Sequence, residues 1–245
     1  MYERVQGIKK LCQEIVVSEV WFSRDMTKIY GGSNGIRTIT FPRTARDTSQ
    51  AAFQKVRSAV LNEGLTVLGA STRNCISFGV FENSGLRKIR LPSTLEVIGE
   101  STFCMCAHLR SVEFSEGLRK IDVDAFSRSG LESVIFPASL REVGQGAFYK
   151  CQSLGTVRFS EGLEVLGTEE HEFRIETFYG VFEESAVERV ELPSTLRRLE
   201  RDTFRGCRNL RTIRLPERLE QIGDECFREC ALESVTIPDG IEEIR

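Results

Sequence analysis

A unit of about 23 residues recurs along most of this chain of 245 residues and constrains its fold more than any other feature. The unit is clearest from Leu86, where it reads Leu-x-x-Ile-x-Leu-Pro-x-x-Leu-x-x-Ile-Gly-x-x-x-Phe-x-x-Cys and ends at Cys106. A fixed period of this length is typical of a solenoid, because so short a unit buries its apolar face only by stacking on its neighbours. The same frame returns at Leu109, Leu131, Leu154, Val187, Leu210 and Leu232.

The repeat extends toward the N-terminus and is itself organised into blocks. Weaker copies precede Leu86, so we count ten units over 17–245, degenerate over 17–85 and regular over 86–245. The sequence Leu-Pro-Ser-Thr-Leu at Leu91 returns 101 residues later, at Leu192. This self-similarity indicates a duplicated block of four units.

The first residues lie outside the repeat. Within 1–16, the apolar residues Val5, Ile8, Leu11 and Ile15 are three and four positions apart, which predicts an amphipathic helix. We expect this helix to cap the first coil, since solenoids need polar caps for solubility. No cap is visible at the C-terminal coil, so the chain is expected to be a monomer or to associate end to end through that coil.

Each unit begins with an alternation that predicts a strand. Val112 and Phe114 are expected to point into the core, and Ser111 and Glu113 to point outward. A Pro or a Ser-Glu-Gly turn follows, and then a segment of the type Leu-x-x-Ile-Gly. The closing Ala/Thr-Phe-x-x-Cys segment predicts a single helical or 3₁₀ turn whose Phe fills the core. The expected architecture is an α/β-type repeat solenoid, with a parallel β-sheet on one face and short helical turns on the other.

The regular units resemble the BspA-like leucine-rich repeats. The resemblance is carried by Leu131-Glu-Ser-Val-Ile-Phe-Pro-Ala-Ser-Leu140 and Val143-Gly-Gln-Gly-Ala-Phe-Tyr-Lys-Cys151. It implies a leucine-rich repeat fold and a non-catalytic role in protein binding or adhesion, at the cell surface or in secreted proteins. The chain departs from the family pattern through two insertions, near 70–80 and 168–181.

Composition excludes some classes of partner and leaves the compartment open. The net charge of −3 gives no overall attraction to nucleic acid or anionic lipid. No apolar stretch approaches the ~18 residues of a membrane span. The start at Met1 has no apolar signal region, and cysteines that look unpaired are compatible with a cytoplasmic location.

The cysteines predict a buried ladder rather than a chemical centre. Four of the eight share one repeat position, which Ser occupies in other units. This exchange favours a small buried side chain that hydrogen-bonds a neighbouring coil. A Cys207–Cys230 disulfide and a metal site at Cys104-x-Cys106-x-His108 are the alternatives. Neither histidine lies in a pattern expected beside a nucleophile, so we predict no enzyme, no metal and no cofactor. The ladder comprises Ser84, Cys106, Ser129, Cys151, Ser185, Cys207 and Cys230.

The outward face of the predicted sheet is the first candidate binding surface, for a protein of unknown identity. Trp and Arg are favoured in binding hot spots. Alternatively, Arg and Glu pair across coils as solvated ions and Trp21 lies under the N-terminal helix. The residues predicted to bind are Trp21, Val60, Arg90, Glu113, Ile135, Arg158, Glu191 and Arg214.

The two insertions are the second candidate. Both end in aromatic clusters, of which Phe81 and Phe182 are expected to fill the core. Loops on a rigid scaffold often carry recognition. Alternatively, the remaining aromatic residues fold back as small satellite cores. The alternative function for the whole chain is a structural spacer or stalk, which predicts a uniformly charged sheet face. The insertion residues predicted to bind are Phe78, Phe173, Phe178 and Tyr179.

Overall fold

The fold is a stack of coils, each of which contributes short parallel strands. In the strands Glu19–Trp21, Lys28–Gly32, Asp47–Ala52 and Glu243–Ile244 the backbone alone is described. The strands are β1 Glu19–Trp21, β2 Lys28–Gly32, β3 Thr38–Thr40, β4 Asp47–Ala52, β5 Ser58–Val60, β6 Val67–Leu68, β7 Lys88–Arg90, β8 Val97–Ile98, β9 Ser111–Glu113, β10 Lys120–Ile121, β11 Ser133–Phe136, β12 Glu142–Val143, β13 Thr156–Phe159, β14 Val165–Leu166, β15 Arg189–Glu191, β16 Arg198–Leu199, β17 Gln221–Ile222 and β18 Glu243–Ile244. A computed structural model describes residues 19–21, 28–32, 38–41, 47–53, 56–69, 79–167, 179–241 and 243–244. The helix predicted within 1–16 lies outside these ranges.

The predicted strands form the first face of the solenoid. They pair in the orders β1-β3-β5, β7-β9 and β11-β13-β15, every pair parallel and in the register that the repeat requires. In β11, Val134 and Phe136 are buried, whereas Ser133 and Ile135 are exposed, as the alternation predicts. The period of two therefore identifies this face correctly.

A second face of parallel strands was not foreseen from the sequence. The Leu-x-x-Ile-Gly segments form two-residue strands, which together with the longer β2 and β4 pair in the orders β12-β10-β8-β6-β4-β2 and β14-β16-β17-β18. Ile98, Ile121 and Val143 occupy the inner position of three of them and are fully buried. These strands are too short for an alternation to show, so only the burial of their apolar residue was predictable.

The predicted helical or 3₁₀ turns are wrong, since the described residues contain no helix. In the coil that ends at Cys106, six consecutive N–H groups alternate between two kinds of partner. Three donate to carbonyls three residues back, at 3.0–3.3 Å, and three cross to carbonyls of the next coil, at 2.7–3.0 Å. A helix would direct all six along its own axis. The crossing donors are the N–H groups of Ser101, Phe103 and Met105.

This alternation requires left-handed backbone at two positions in each of the coils that contain Phe103, Phe126, Phe148, Phe204 and Phe227. Ser101 and Met105 have φ of 52° and 57°. Glycine, which adopts this conformation without strain, takes the equivalent positions at Gly146 and Gly206 in other coils. The turn layer is thus held between coils rather than within them.

A continuous stack of phenylalanine rings runs through the core. One ring from each of seven successive coils lies parallel to the next, with centroids 5.0–5.7 Å apart and interplanar angles of 1–18°. The first six are fully buried, which confirms the core positions predicted for Phe81 and Phe182. The stack comprises Phe81, Phe103, Phe126, Phe148, Phe182, Phe204 and Phe227.

The cysteine–serine ladder is confirmed. The thiol of Cys151 donates to the carbonyl of Phe126 in the preceding coil at 3.2 Å and lies 3.4 Å from the hydroxyl of Ser129. Cys106 and Cys207 repeat both contacts. Burial raises the pKa of the Cys151 thiol to about 11. All six described cysteines are free, so the ladder is held by hydrogen bonds.

In both coils that carry an insertion, a Glu carboxylate accepts hydrogen bonds from a Ser of the coil that follows. We call this arrangement the clasp. The carboxylate of Glu161 accepts from the backbone N–H of Ser194 at 3.2 Å and from its hydroxyl at 3.0 Å. The N–H of Gly162 donates to Thr195 Oγ1 at 2.9 Å. In the other block, Glu63 and Ser93 form the same pair of bonds. The repeated Leu-Pro-Ser-Thr-Leu sequence therefore supplies hydrogen bonds where a long insertion interrupts the regular coil.

Removal of one ring from the middle of the stack is expected to be costly. Phe126→Ala should lower the free energy of unfolding by about 3–5 kcal/mol, because the cavity cannot close between two rings held by the backbone. Phe227→Ala is the matched control, since Phe227 is only partly buried. We expect a clearly smaller loss in urea unfolding for the control, and equal losses would contradict a continuous stack.

The ladder cysteines are expected to resist alkylation. In native protein at pH 8, the thiols of Cys106, Cys151 and Cys207 should stay unmodified by iodoacetamide, because burial raises each thiol pKa and excludes the reagent. In urea they should react fully, as measured for each peptide by mass spectrometry. Native labelling of any of the three at the rate of an exposed thiol would contradict the burial.

The clasp predicts a stability loss in acid. Hydrogen bonds from Ser194 hold the pKa of the Glu161 carboxyl below its ordinary value of 4.5. A lowered folded-state pKa adds stability above the unfolded value, and this stability is lost as the pH falls through the folded pKa. Wild type should therefore lose more stability below about pH 4.5 than Glu161→Gln does. Glu164→Gln is the control and should follow wild type in urea titrations from neutral to acid pH.

Candidate binding face

The outward residues of the first face lie in one row across the coils. Arg90 is paired in register with Glu113, and Ile135 with Arg158. Arg158 is in turn paired with Glu191. Backbone register also aligns Trp21 with Thr40 and Thr40 with Val60, although only the backbone of Trp21 is described. The sequence thus grouped these positions correctly along the strands.

Two ion pairs connect four of the predicted binding residues, one between Arg158 and Glu191 and one between Arg90 and Glu113. Arg158 donates to both carboxylate oxygens of Glu191, at 2.5 and 2.7 Å, and its proximity lowers the pKa of that carboxyl. Arg90 lies 3.9 Å from Glu113. All four side chains are more than half exposed, so solvent screens each pair and it contributes little to stability. They form the solvated Arg–Glu ladder that was the alternative interpretation of this face.

Two aliphatic side chains do not take part in the ladder. Ile135 is 60% exposed and Val60 is 47% exposed. The neighbours of Ile135 along the strand, Val134 and Phe136, are buried, which fixes the direction of its side chain. Arg214 is also exposed and makes no ion pair within the described residues. Ile135 is therefore an apolar side chain held rigidly outward between charged neighbours.

Of the predicted insertion residues, only Tyr179 can be placed. Phe78, Phe173 and Phe178 lie outside the described residues. Tyr179 is half-buried and its ring stacks on Tyr149, with centroids 3.8 Å apart and an interplanar angle of 14°. Lys150 Nζ lies 4.8 Å from the centre of the Tyr149 ring. Tyr179 thus packs against the neighbouring coil, as in the satellite-core alternative.

Where each insertion rejoins the solenoid, a Gly N–H donates to the carboxylate of the Glu three residues later. This contact was not predicted from the sequence. The N–H of Gly180 donates to the Glu183 carboxylate at 2.9 Å, and that of Gly79 donates to Glu82 at 3.1 Å. A Cβ at Gly180 would lie 1.7 Å from the carbonyl oxygen of Asp202 in the next coil. Burial raises the pKa of both carboxyl groups. The shared Gly-Val-Phe-Glu sequence was the available signal.

Burial separates two of the residues named in the metal-site alternative. Cys106, from the metal-site alternative, is buried and bonded to Phe81 and Ser84, while His108 is exposed. No group of three His, Cys, Asp or Glu residues in the described ranges could hold a metal ion. No helix there is long and apolar enough to cross a membrane.

Two solved structures share this fold. A leucine-rich repeat protein from Bacteroides ovatus ATCC 8483 is 21% identical, with a TM-score of 0.51 over 84% of this chain and 62% of that protein. The T. pallidum leucine-rich repeat protein TpLRR is 21% identical, with a TM-score of 0.52 over 86% of this chain and 85% of that one. This chain therefore spans less than two thirds of the B. ovatus protein. No curated protein matches the sequence.

The repeat itself matches a known family. The model of the BspA type leucine-rich repeat region matches residues 74–173 and 175–245, in six copies. These ranges contain the whole phenylalanine stack and the whole cysteine–serine ladder. Parallel strands, stacked coils and matching repeats together place this chain in the BspA type leucine-rich repeat family.

Proposed function

We propose that this chain is a non-catalytic protein-binding module that contacts its partner through the first sheet face, around Ile135. The exposure of Ile135 is the observation that carries the proposal. An aliphatic side chain in water gains about 25 cal/mol per Å² when a partner covers it. Here it stands on β11, whose backbone is paired with β13 and whose Val134 and Phe136 side chains are buried, so little conformational entropy is lost on binding.

The charged rows around Ile135 give the face the character of a binding rim. Glu113 and Arg158 lie on the strands to either side and are exposed. Polar residues that surround an apolar centre are the usual arrangement of a protein interface. Val60 and Trp21 extend the proposed face toward the N-terminal coils, and Arg90, Glu191 and Arg214 complete its rim. A cell-surface adhesin is the finer form of this function, supported by the family to which the repeats belong.

A structural spacer without a specific ligand is the second candidate. The observation that favours it is the pairing of Arg158 with Glu191 and of Arg90 with Glu113 across coils. Such pairs occupy the charged groups that a partner would otherwise contact. In a spacer, Ile135 would be an isolated apolar residue, and single exposed apolar residues are common on protein surfaces.

Substitution of Ile135 separates the two functions. We expect Ile135→Glu to abolish capture of a partner from a mixture of cell lysate and matrix proteins, because a carboxylate would have to lose its water where the interface fits an aliphatic side chain. The folded protein should keep its unfolding midpoint, since the side chain is mostly exposed. A photo-crosslinker placed at position 135 should form a discrete adduct with the same partner.

The control variant changes an exposed residue of the second face. Glu164→Arg should retain the partner, and a crosslinker at position 164 should not label it. If Ile135→Glu and Glu164→Arg retain every captured protein equally, the spacer is the better description. Loss of capture only when the insertions 70–78 and 168–178 are shortened would move the binding site from the sheet face to the insertion loops.

A further inference from the structure

Five exposed cations gather on three consecutive coils at the N-terminal part of the sheet face. Arg57, Arg87 and Arg110 occupy the same position in successive units. Because neighbouring strands lie about 4.8 Å apart, this row is roughly 10 Å long. Lys88 and Arg90 extend it along β7. We call these five residues the basic patch.

The charges of the basic patch are poorly matched within the protein. Among the described residues, the side chains of Arg57, Arg87 and Lys88 form no hydrogen bond or ion pair. Arg90 reaches Glu113 only at 3.9 Å, and Arg110 reaches Glu132 at 3.7 Å. Like charges on neighbouring strands destabilise a sheet, and Arg57, Arg87 and Lys88 have no contact among the described residues that offsets this repulsion.

The second block of the chain provides an internal comparison. At the positions equivalent to Arg87, Lys88 and Arg90, β15 and the residue before it carry Glu188, Arg189 and Glu191. There, Arg189 lies 3.6 Å from Glu188, and Glu191 is bonded by Arg158. The fold accepts both charge patterns on the same backbone. The cations of the first block are therefore not a requirement of the coil.

We propose that the basic patch binds an acidic peptide segment of the partner protein. Guanidinium groups bind carboxylates through two parallel hydrogen bonds, and four of the five cations are arginines. The carboxylates would lie on Arg57, Arg87 and Arg90, and an aliphatic residue of the peptide would cover Val60, which is next to Arg90 in the outward row. This inference rests on the proposed function and assigns a chemical class to the partner.

The dimensions and composition of the patch favour a peptide over a long polyanion. A row of roughly 10 Å matches three extended residues, whereas nucleic-acid binding commonly uses 6–10 phosphate contacts. Within the described outward rows there is no aromatic side chain on which a base could stack. The net charge of −3 also repels a long anionic chain beyond the patch.

Fluorescence anisotropy with a labelled peptide of Glu residues and one Leu tests the proposal on the full chain. We expect saturable binding to one site, weaker at physiological than at low salt, and none to the Gln analogue of the peptide. Arg57→Gln/Arg87→Gln/Lys88→Gln should weaken binding at least about tenfold. Its unfolding midpoint should equal or exceed that of wild type, because the removed cations have no partner in the described structure and repel one another.

The matched control removes three cations elsewhere, in Arg208→Gln/Arg211→Gln/Arg228→Gln, and should retain the affinity. Glu188→Arg/Glu191→Arg should create a second site, so that two peptides bind. Equal losses in the two triple variants would overturn the proposal, as would tighter binding of heparin or an oligonucleotide. If no peptide binds while Ile135→Glu still abolishes capture of a partner, the acidic peptide is excluded and the proposed function stands.

Discussion

The fold depends on a match between two lengths that chemistry fixes independently. Parallel strands of adjacent coils lie about 4.8 Å apart, and stacked phenyl rings are most stable at a similar separation. One ring per coil therefore fills the core without stretching the sheets, as the centroid distances of 5.0–5.7 Å show. The insertions do not disturb this match, because Phe81 and Phe182 keep their places in the stack.

The sequence predicts those parts of the fold whose physics is local or strictly periodic. Alternation gave the first row of strands and the outward direction of Ile135, and the fixed position of Phe and Cys gave the core stack and the ladder. The turn layer could not be predicted in this way, because the donors at Ser101 and Phe103 bond to a coil more than twenty residues away. Its short Phe-x-x-Cys segment favours a helical turn only when neighbouring coils are ignored.

The candidate site was predictable to a similar extent. The row of outward residues follows from the period of two, but whether Arg158 bonds Glu191 or faces solvent depends on side-chain geometry. Arg57, Arg87 and Arg110 precede their strands and fall outside the alternation, so their common position became visible only when the coils were stacked. The two blocks share a core, where packing constrains the residues. They differ on the surface, where packing does not impose the same constraint.

The alternating turns also make the solenoid electrically polar. Three peptide groups of the turn layer direct their N–H toward the next coil and their carbonyl toward the previous one in the coils of Phe103, Phe126, Phe148 and Phe204, and two do so in the coils of Phe81 and Phe182. Each peptide carries a dipole of about 3.5 D, and in this layer the dipoles point the same way from coil to coil. They add along the axis as they do in a helix, with the positive end toward the last coil.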